Sequence, residues 1–528
     1  MIKRKIIKGK IWTCDPKKKW AEAFCVENEK IQSVGSFDEV KANLADGGYE
    51  LVDYHDNLII PGMTDAHIHA TAYAKQDLYV NLSSAGSLND AAKLILERAK
   101  QVEPGQWIRA INFNEASWDA PIKPDIVFMD SLKVDNPVIM SRYCGHFHAV
   151  NTRALMESGL WDVQDVNVVR DKDGSHKGQL TEGAAGKIIE TVAAFYEKPD
   201  AIKALIEKSC LKLSSLGITA VHACDAPSYA LGEDLAACQD LEAEGRLSVR
   251  WGCYHDTLPT YQIKSGFGDD MVFFAGFKMF ADGTLGGRTC GMREPFSDDP
   301  GNCGHLNHST EELYSLIAEA TKRDIQVQIH AIGDSAIEQT VCCMERVIAE
   351  VGAPKLPFRI NHAIVSSPEL ITRMKNINAI VDMQPIQAHT DRQMAPLRVG
   401  DRRLRDCYAF RNIFNGGLVV TGSSDAPIED PNPWLGIWAA VNLTEFDGTP
   451  LAGFDREQRL TLEEALSMYT INPWKALGKE DSWGVLSEGH YADFTVIDGN
   501  PFEIDTLELR NVKHIATYLG GKLVWKKQ

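Results

Sequence analysis

The chain lacks a basic footprint. Its 55 Lys and Arg are outnumbered by 73 Asp and Glu, for a formal net charge of -18. A nucleic-acid partner needs cations to neutralise phosphates, so that class of function is excluded. No stretch approaches the ~20 apolar residues of a membrane helix. The opening Met1-Ile-Lys-Arg-Lys-Ile-Ile-Lys is basic and only briefly apolar. Without the apolar core and cleavage site of a signal peptide, it reads as an amphipathic first strand. Cys-x-x-Cys pairs are also missing. The 12 cysteines are scattered, with Cys342 and Cys343 adjacent. In a chain this long, that pattern predicts reduced thiols in a cytosolic protein. No low-complexity linker or internal repeat divides the sequence.

What is present is an ordinary globular composition, 44% hydrophobic and 24% charged over 528 residues, with room for a large barrel and an accessory domain. Both ends are strand-rich. Residues 5–13, 23–34 and 50–53 alternate with period two, as do 492–498 and 512–525. This predicts a small β-sandwich built from 1–60 and 480–528 together. The middle, 61–479, alternates helical and strand patterns. Strands are expected at 217–222, 276–283, 325–330, 358–362, 379–384 and 418–425, with helices at 201–215, 310–321, 336–351 and 367–375 between them. Such alternation implies a parallel sheet, and eight repeats would close a (β/α)8 barrel. Residues 75–205 fit the repeat poorly. They are rich in Asn, Trp and Pro, and read as an insertion over the barrel mouth.

The most informative run is Leu58-Ile-Ile-Pro-Gly-Met-Thr-Asp65-Ala-His67-Ile-His69. Side chains at i and i+2 of a strand share a face, so His67 and His69 present two imidazoles side by side, a pairing suited to a divalent metal. Catalytic residues of such barrels sit at the C-terminal strand ends. Read in order, those ends carry His67, His69, Lys278, His330, His362 and Asp425.

This order resembles the amidohydrolase superfamily. The phrases Phe277-Lys-Met-Phe-Ala-Asp-Gly-Thr-Leu-Gly-Gly-Arg-Thr, His330-Ala-Ile-Gly-Asp, Arg359-Ile-Asn-His-Ala, Asp382-Met-Gln-Pro, Gly422-Ser-Ser-Asp-Ala-Pro and Gly489-His-Tyr-Ala-Asp-Phe are similar to amidohydrolase family 3, the branch containing N-substituted formamide deformylases. The resemblance spans nearly the whole chain. It implies a metal-dependent hydrolase acting on a non-peptide C–N bond of a small molecule, with one or two divalent ions, zinc foremost. By that resemblance His67 and His69 hold the more buried metal. Asp425 binds it too, takes a proton from the attacking water and later protonates the leaving nitrogen. His330 and His362 hold a second metal or complete the first site. Lys278 carries a carbamate in binuclear relatives; the bland alternative is a plain Lys278 paired with Asp282.

Substrate contacts are expected from His146, Trp118, His222, Arg288 and Gln384. His148 is an extra histidine beside His146, and Asp282 an orienting group. Two other readings stay open: a deaminase or cyclic amide hydrolase of the same superfamily, and a non-catalytic scaffold with this fold. The missing Glu after His330 weighs against the deaminase. The survival of all six strand-end residues weighs against the scaffold. A homodimer is compatible with the sequence but not specified by it.

Overall fold

The computed structural model describes residues 4–44, 48–76, 78–115, 118–142, 147–196, 199–225 and 234–528. Eight parallel strands follow one another in chain order: β1 (Met63–Ile68), β2 (Ile218–Ala223), β3 (Arg250–His255), β4 (Val272–Phe280), β5 (Gln326–Ala331), β6 (Arg359–His362), β7 (Ile380–Met383) and β8 (Val419–Gly422). β1, β2, β5, β6 and β7 are buried at every residue, because helices cover the outside of a parallel sheet while its own side chains fill the inside. The helix Thr310–Lys322 shows how. Ser309 and Glu312 form a capping box, and Leu313, Ile317 and Ala320 line one buried stripe.

Expectation and structure agree on a barrel with extra sheets, but the sequence reading found no strand at β3. Arg250 opens it and His255 closes it. The expected strand 23–34 is two strands, Trp20–Glu27 and Lys30–Gly35. Asn28 and Glu29 both take positive φ, 52° and 67°, and turn the chain between them.

β8 and β1 close the barrel at one end only. Asp425 N–H donates to the His67 carbonyl (2.8 Å) and His69 N–H to the Ala426 carbonyl (2.9 Å). Asp65 reinforces the seam, accepting from Ser424 Oγ (2.5 Å) and from the Ser424 N–H (3.2 Å). The interior holds an unusual polar layer. Arg359 forks onto Asp382 (2.7 Å) and also donates to Tyr254 Oη, His222 Nδ1 and the Ala66 carbonyl. Asp382 further accepts from Asn361 Nδ2 (2.6 Å) and Thr421 Oγ1.

The two chain ends join in one seven-stranded sheet, in which Phe494–Ile497 pairs with Tyr49–Pro61, and that strand with Arg4–Trp12. Phe24 and Phe494 lie on strands separated by two others, yet their ring centroids are 5.1 Å apart. Strands spaced ~4.8 Å apart permit that only if the sheet curls over its own apolar face.

Contacts divide the chain into two compact units, Met1–Ala72 with Glu207–Gln528, and Tyr73–Ile206. The second has its own six-stranded sheet, from Val168–Arg170 at one edge to Tyr79–Asn81 at the other. Among the described residues no helix is long and apolar enough to cross a membrane.

Arg250 and Asp493 tie the barrel to the end sheet through a buried fork of 2.6 and 3.0 Å. Removing one partner strands the other charge. Arg250→Met is expected to cost about 3–5 kcal/mol in urea unfolding; a loss below about 1 kcal/mol would show the pair is not needed.

Candidate metal centre

β1 ends in two imidazoles, and the loop after β8 brings Asp425 against them. His67 Nε2 and His69 Nε2 are each 3.2 Å from Asp425 Oδ1, and the ligand atoms of all three residues lie within 4.8 Å of one another. Asp425 Oδ1 is buried and accepts no well-formed hydrogen bond. A buried anionic oxygen left unsatisfied between two imidazoles fits a divalent cation, which all three groups can ligate.

The ring nitrogens are oriented from behind. His69 Nδ1 donates to the Cys224 carbonyl (2.8 Å), which leaves Nε2 with its lone pair. His67 Nδ1 sits between Cys224 Sγ (3.3 Å) and Gln328 Nε2 (3.1 Å). His362 Nδ1 donates to Gln384 Oε1 (2.7 Å), freeing its Nε2. His330 donates through Nε2 to the Gly283 carbonyl (2.9 Å), so its Nδ1 carries the lone pair. The rings of His330 and His362 are 4.4 Å apart, and those of His67 and His362 5.3 Å.

Electrostatics keep His67, His330 and His362 neutral. Burial, then the charge of Lys278, pulls His67 down to about 3 and His330 to about 4; burial likewise takes His362 well below its ordinary value. Burial also lowers His69, but the Asp425 carboxylate 3.2 Å away outweighs this and leaves it raised. Burial would push Asp425 up; the imidazoles of His67 and His69 outweigh it and hold the carboxyl well below the usual range. Neutral imidazole beside carboxylate is the protonation state in which these groups bind metal. The backbone is strained here as well. His362, Ala363 and Asp425 all have positive φ, at 69°, 47° and 58°, costing about 1–3 kcal/mol each where the side chain is not glycine.

Lys278 does not pair with Asp282. Its Nζ donates to Asn361 Oδ1, and burial brings its pKa down to about 8. Asp282 lies beyond the end of β4, where it accepts from the N–H groups of Gly291, Ile332 and Gly333 at 2.9–3.1 Å. It sits 3.4 Å from His330 Nε2, so it braces a histidine instead.

The expected substrate contacts fare differently. Arg288 forks onto Asp298 (3.1 and 2.8 Å) and does not line the cavity. Gln384 is buried behind His362, donating to Ser423 Oγ (2.8 Å). His222 is buried in the polar layer on Arg359. Trp118 packs on Phe113 in the core of the Tyr73–Ile206 unit. His146 lies outside the described residues, and His148 bonds Ser141 Oγ (2.9 Å). Sequence reasoning gave no role to Cys224, Gln328 or Asn361. Their one signal was a polar or thiol group inside or just after an otherwise apolar strand.

An amidohydrolase family model matches residues 50–525. A relative from Bacillus subtilis (strain 168), YtcJ, is 30% identical over 515 residues, 96% of each chain. The N-substituted formamide deformylase of Arthrobacter pascens is 25% identical over 548 residues, 99% of this chain and 98% of its own. Among solved structures, an uncharacterized metal-dependent hydrolase from Pyrococcus horikoshii OT3 is similar with a TM-score of 0.79 at 25% identity, over 95% of this chain and 99% of that one.

Cys224 is buried at the back of the histidines, and burial pushes its thiol up to about 12. Cys342 is exposed. Because the thiolate is the reactive form, a thiol reagent should label Cys342 in the native protein and Cys224 only after unfolding, as read by peptide mass spectrometry. Equal labelling rates would contradict this packing.

Proposed function

Since this chain belongs to the amidohydrolase family, we propose that it is a metal-dependent hydrolase of a small amide or formamide, cleaving a non-peptide C–N bond to a carboxylate and an amine. The observation that carries the reading is the buried, unpartnered Asp425 Oδ1 facing His67 Nε2 and His69 Nε2. These three residues would hold the cation, and an imidazole–carboxylate donor set suits zinc. When bound, the cation supplies Lewis acidity, which makes water a competent nucleophile at neutral pH.

The chain's own groups do the rest. The Asp425 oxygen not given to the cation accepts a proton from the attacking water. It returns that proton to the nitrogen as the C–N bond breaks, so the amine leaves neutral. His330 Nδ1 and His362 Nε2 offer lone pairs for a second binding position. Lys278 keeps a neutral fraction through burial. Its amine can add CO2 with loss of one proton, and the carbamate so formed would supply two further oxygen ligands once Nζ releases Asn361. The formamide preference is supported by the activity in the name of the Arthrobacter relative.

The test is a panel of N-alkylformamides, N-acyl amines and cyclic amides incubated with metal-loaded protein, with released amine as the readout and metal content measured in parallel. Turnover of a formamide or acyl amine with stoichiometric metal is expected; bound metal with no amine released from any of them would overturn the reading. Asp425→Asn should lose roughly 10²–10⁴-fold in turnover where it retains metal. A variant keeping both metal and rate would place the proton transfer elsewhere. Lys278→Ala should bind less metal than the parent, with partial recovery in acetate; an unchanged metal content would remove the carbamate from the account.

A further inference from the structure

The cavity at the mouth measures about 480 Å³, and its wall is chemically lopsided. Apart from the histidines and Asp425, one part is apolar, formed by Phe280, Ile332, Ile364 and Met394. Another carries Asp391 and Glu429, while the third acid, Asp282, is already held by three backbone N–H groups. Among the described lining residues there is no lysine or arginine.

Both acids come from segments that follow barrel strands, where this architecture places specificity. Asp391 caps the C-terminus of the helix Pro385–Thr390, which follows β7. Glu429 lies in the segment after β8, four residues past Asp425. Each is fixed by a hydroxyl. Tyr408 Oη donates to Asp391 Oδ2, and Thr390 Oγ1 donates to Glu429 Oε1 (2.6 Å). Thr390 precedes Asp391, and after burial the Asp391 charge also acts to raise the Glu429 carboxyl, so the two acids feel each other. Each keeps one oxygen without a hydrogen bond, and neither has a cationic partner among the described residues. Like charges set together on a half-buried wall destabilise each other, and here no cationic side chain among the described residues relieves them. Deeper in the same cavity lies Asp425 Oδ1, also buried without a hydrogen-bond partner. An inorganic ion on the two outer acids would leave most of the cavity and its apolar side empty, since a volume of this order suits a small organic molecule.

We propose that Asp391 and Glu429 are specificity-determining residues, which take the cationic end of an amine-bearing amide whose C–N bond reaches Asp425. This rests on the hydrolase reading above for the position of the reacting bond. The selected class is a short amide with an ammonium group at one end and a few methylenes between. Its carboxylate-ended counterpart is rejected.

The test separates binding from turnover. Three formamides of matched length serve as probes on metal-loaded protein: N-(4-aminobutyl)formamide, the neutral N-pentylformamide and the anionic 5-formamidopentanoate. Dissociation constants are measured by calorimetry at 4 °C, and amine release separately. The ammonium probe should bind about fivefold more tightly than the neutral one, the upper weight of a partly exposed ion pair, with the anionic probe weakest. Glu429→Gln and Asp391→Asn, both conservative in size, should each shrink the ammonium preference, and the double variant should abolish it. Wild-type protein that binds the three probes equally, binds none of them, or prefers the anion overturns the proposal. So does an unchanged preference in a double variant whose circular dichroism is native. A charge preference in binding without amine release from any probe would leave the acidic wall standing and count against the hydrolase reading alone. Amine release without charge preference would do the reverse.

Discussion

The barrel is closed by the same residues that build its candidate site. β8 reaches β1 through two backbone hydrogen bonds, Asp425 N–H to the His67 carbonyl and His69 N–H to the Ala426 carbonyl. The spacing of Asp425 from both imidazoles is therefore set by strand pairing, not by flexible side chains reaching out. Asp65 ties the same seam from within through Ser424. The positive φ of Asp425 is the local cost of turning the carboxylate inward, and main-chain bonds on both sides hold that strain in place. Preorganisation of this kind leaves little for binding energy to arrange later.

Beneath the seam lies a floor that most barrels fill with branched aliphatics. Here it is a connected polar network. Arg359 and Asp382 are fully buried and fork together at 2.7 Å. From this pair, bonds run through Asn361 to Lys278, and through Gln328 to His67. A buried pair gives little net stability, yet a connected network fixes rotamers that an apolar floor would leave free. It also surrounds Lys278 with both signs of charge. The first cause of its lowered pKa is burial, and the nearby Asp382 and Asp425 only partly restore it.

The strand-end residues were legible because barrel chemistry leaves a polar side chain after an apolar run. His67, His69, Lys278, His330, His362 and Asp425 all close or follow such runs. β3 is harder to read: it opens on the charged Arg250, and its apolar run is broken by Gly252, although His255 closes it. Arg288 and Gln384 show where linear reading stops. One sits in a glycine-rich phrase and turns to a surface aspartate; the other follows a strand but folds behind a histidine. The acidic wall was unreadable for a related reason. Asp391 and Glu429 are 38 positions apart in segments without periodicity, and only the folded loops bring them together.

The central claim is that His67, His69 and Asp425 share one divalent cation. Anomalous diffraction at the absorption edge of the loaded metal tests it most directly. The account predicts a peak about 2.0–2.2 Å from His67 Nε2, His69 Nε2 and an Asp425 carboxylate oxygen, the normal bond lengths for such ligands. A peak bonded elsewhere in the chain, with none at these three atoms in a fully loaded crystal, would contradict it.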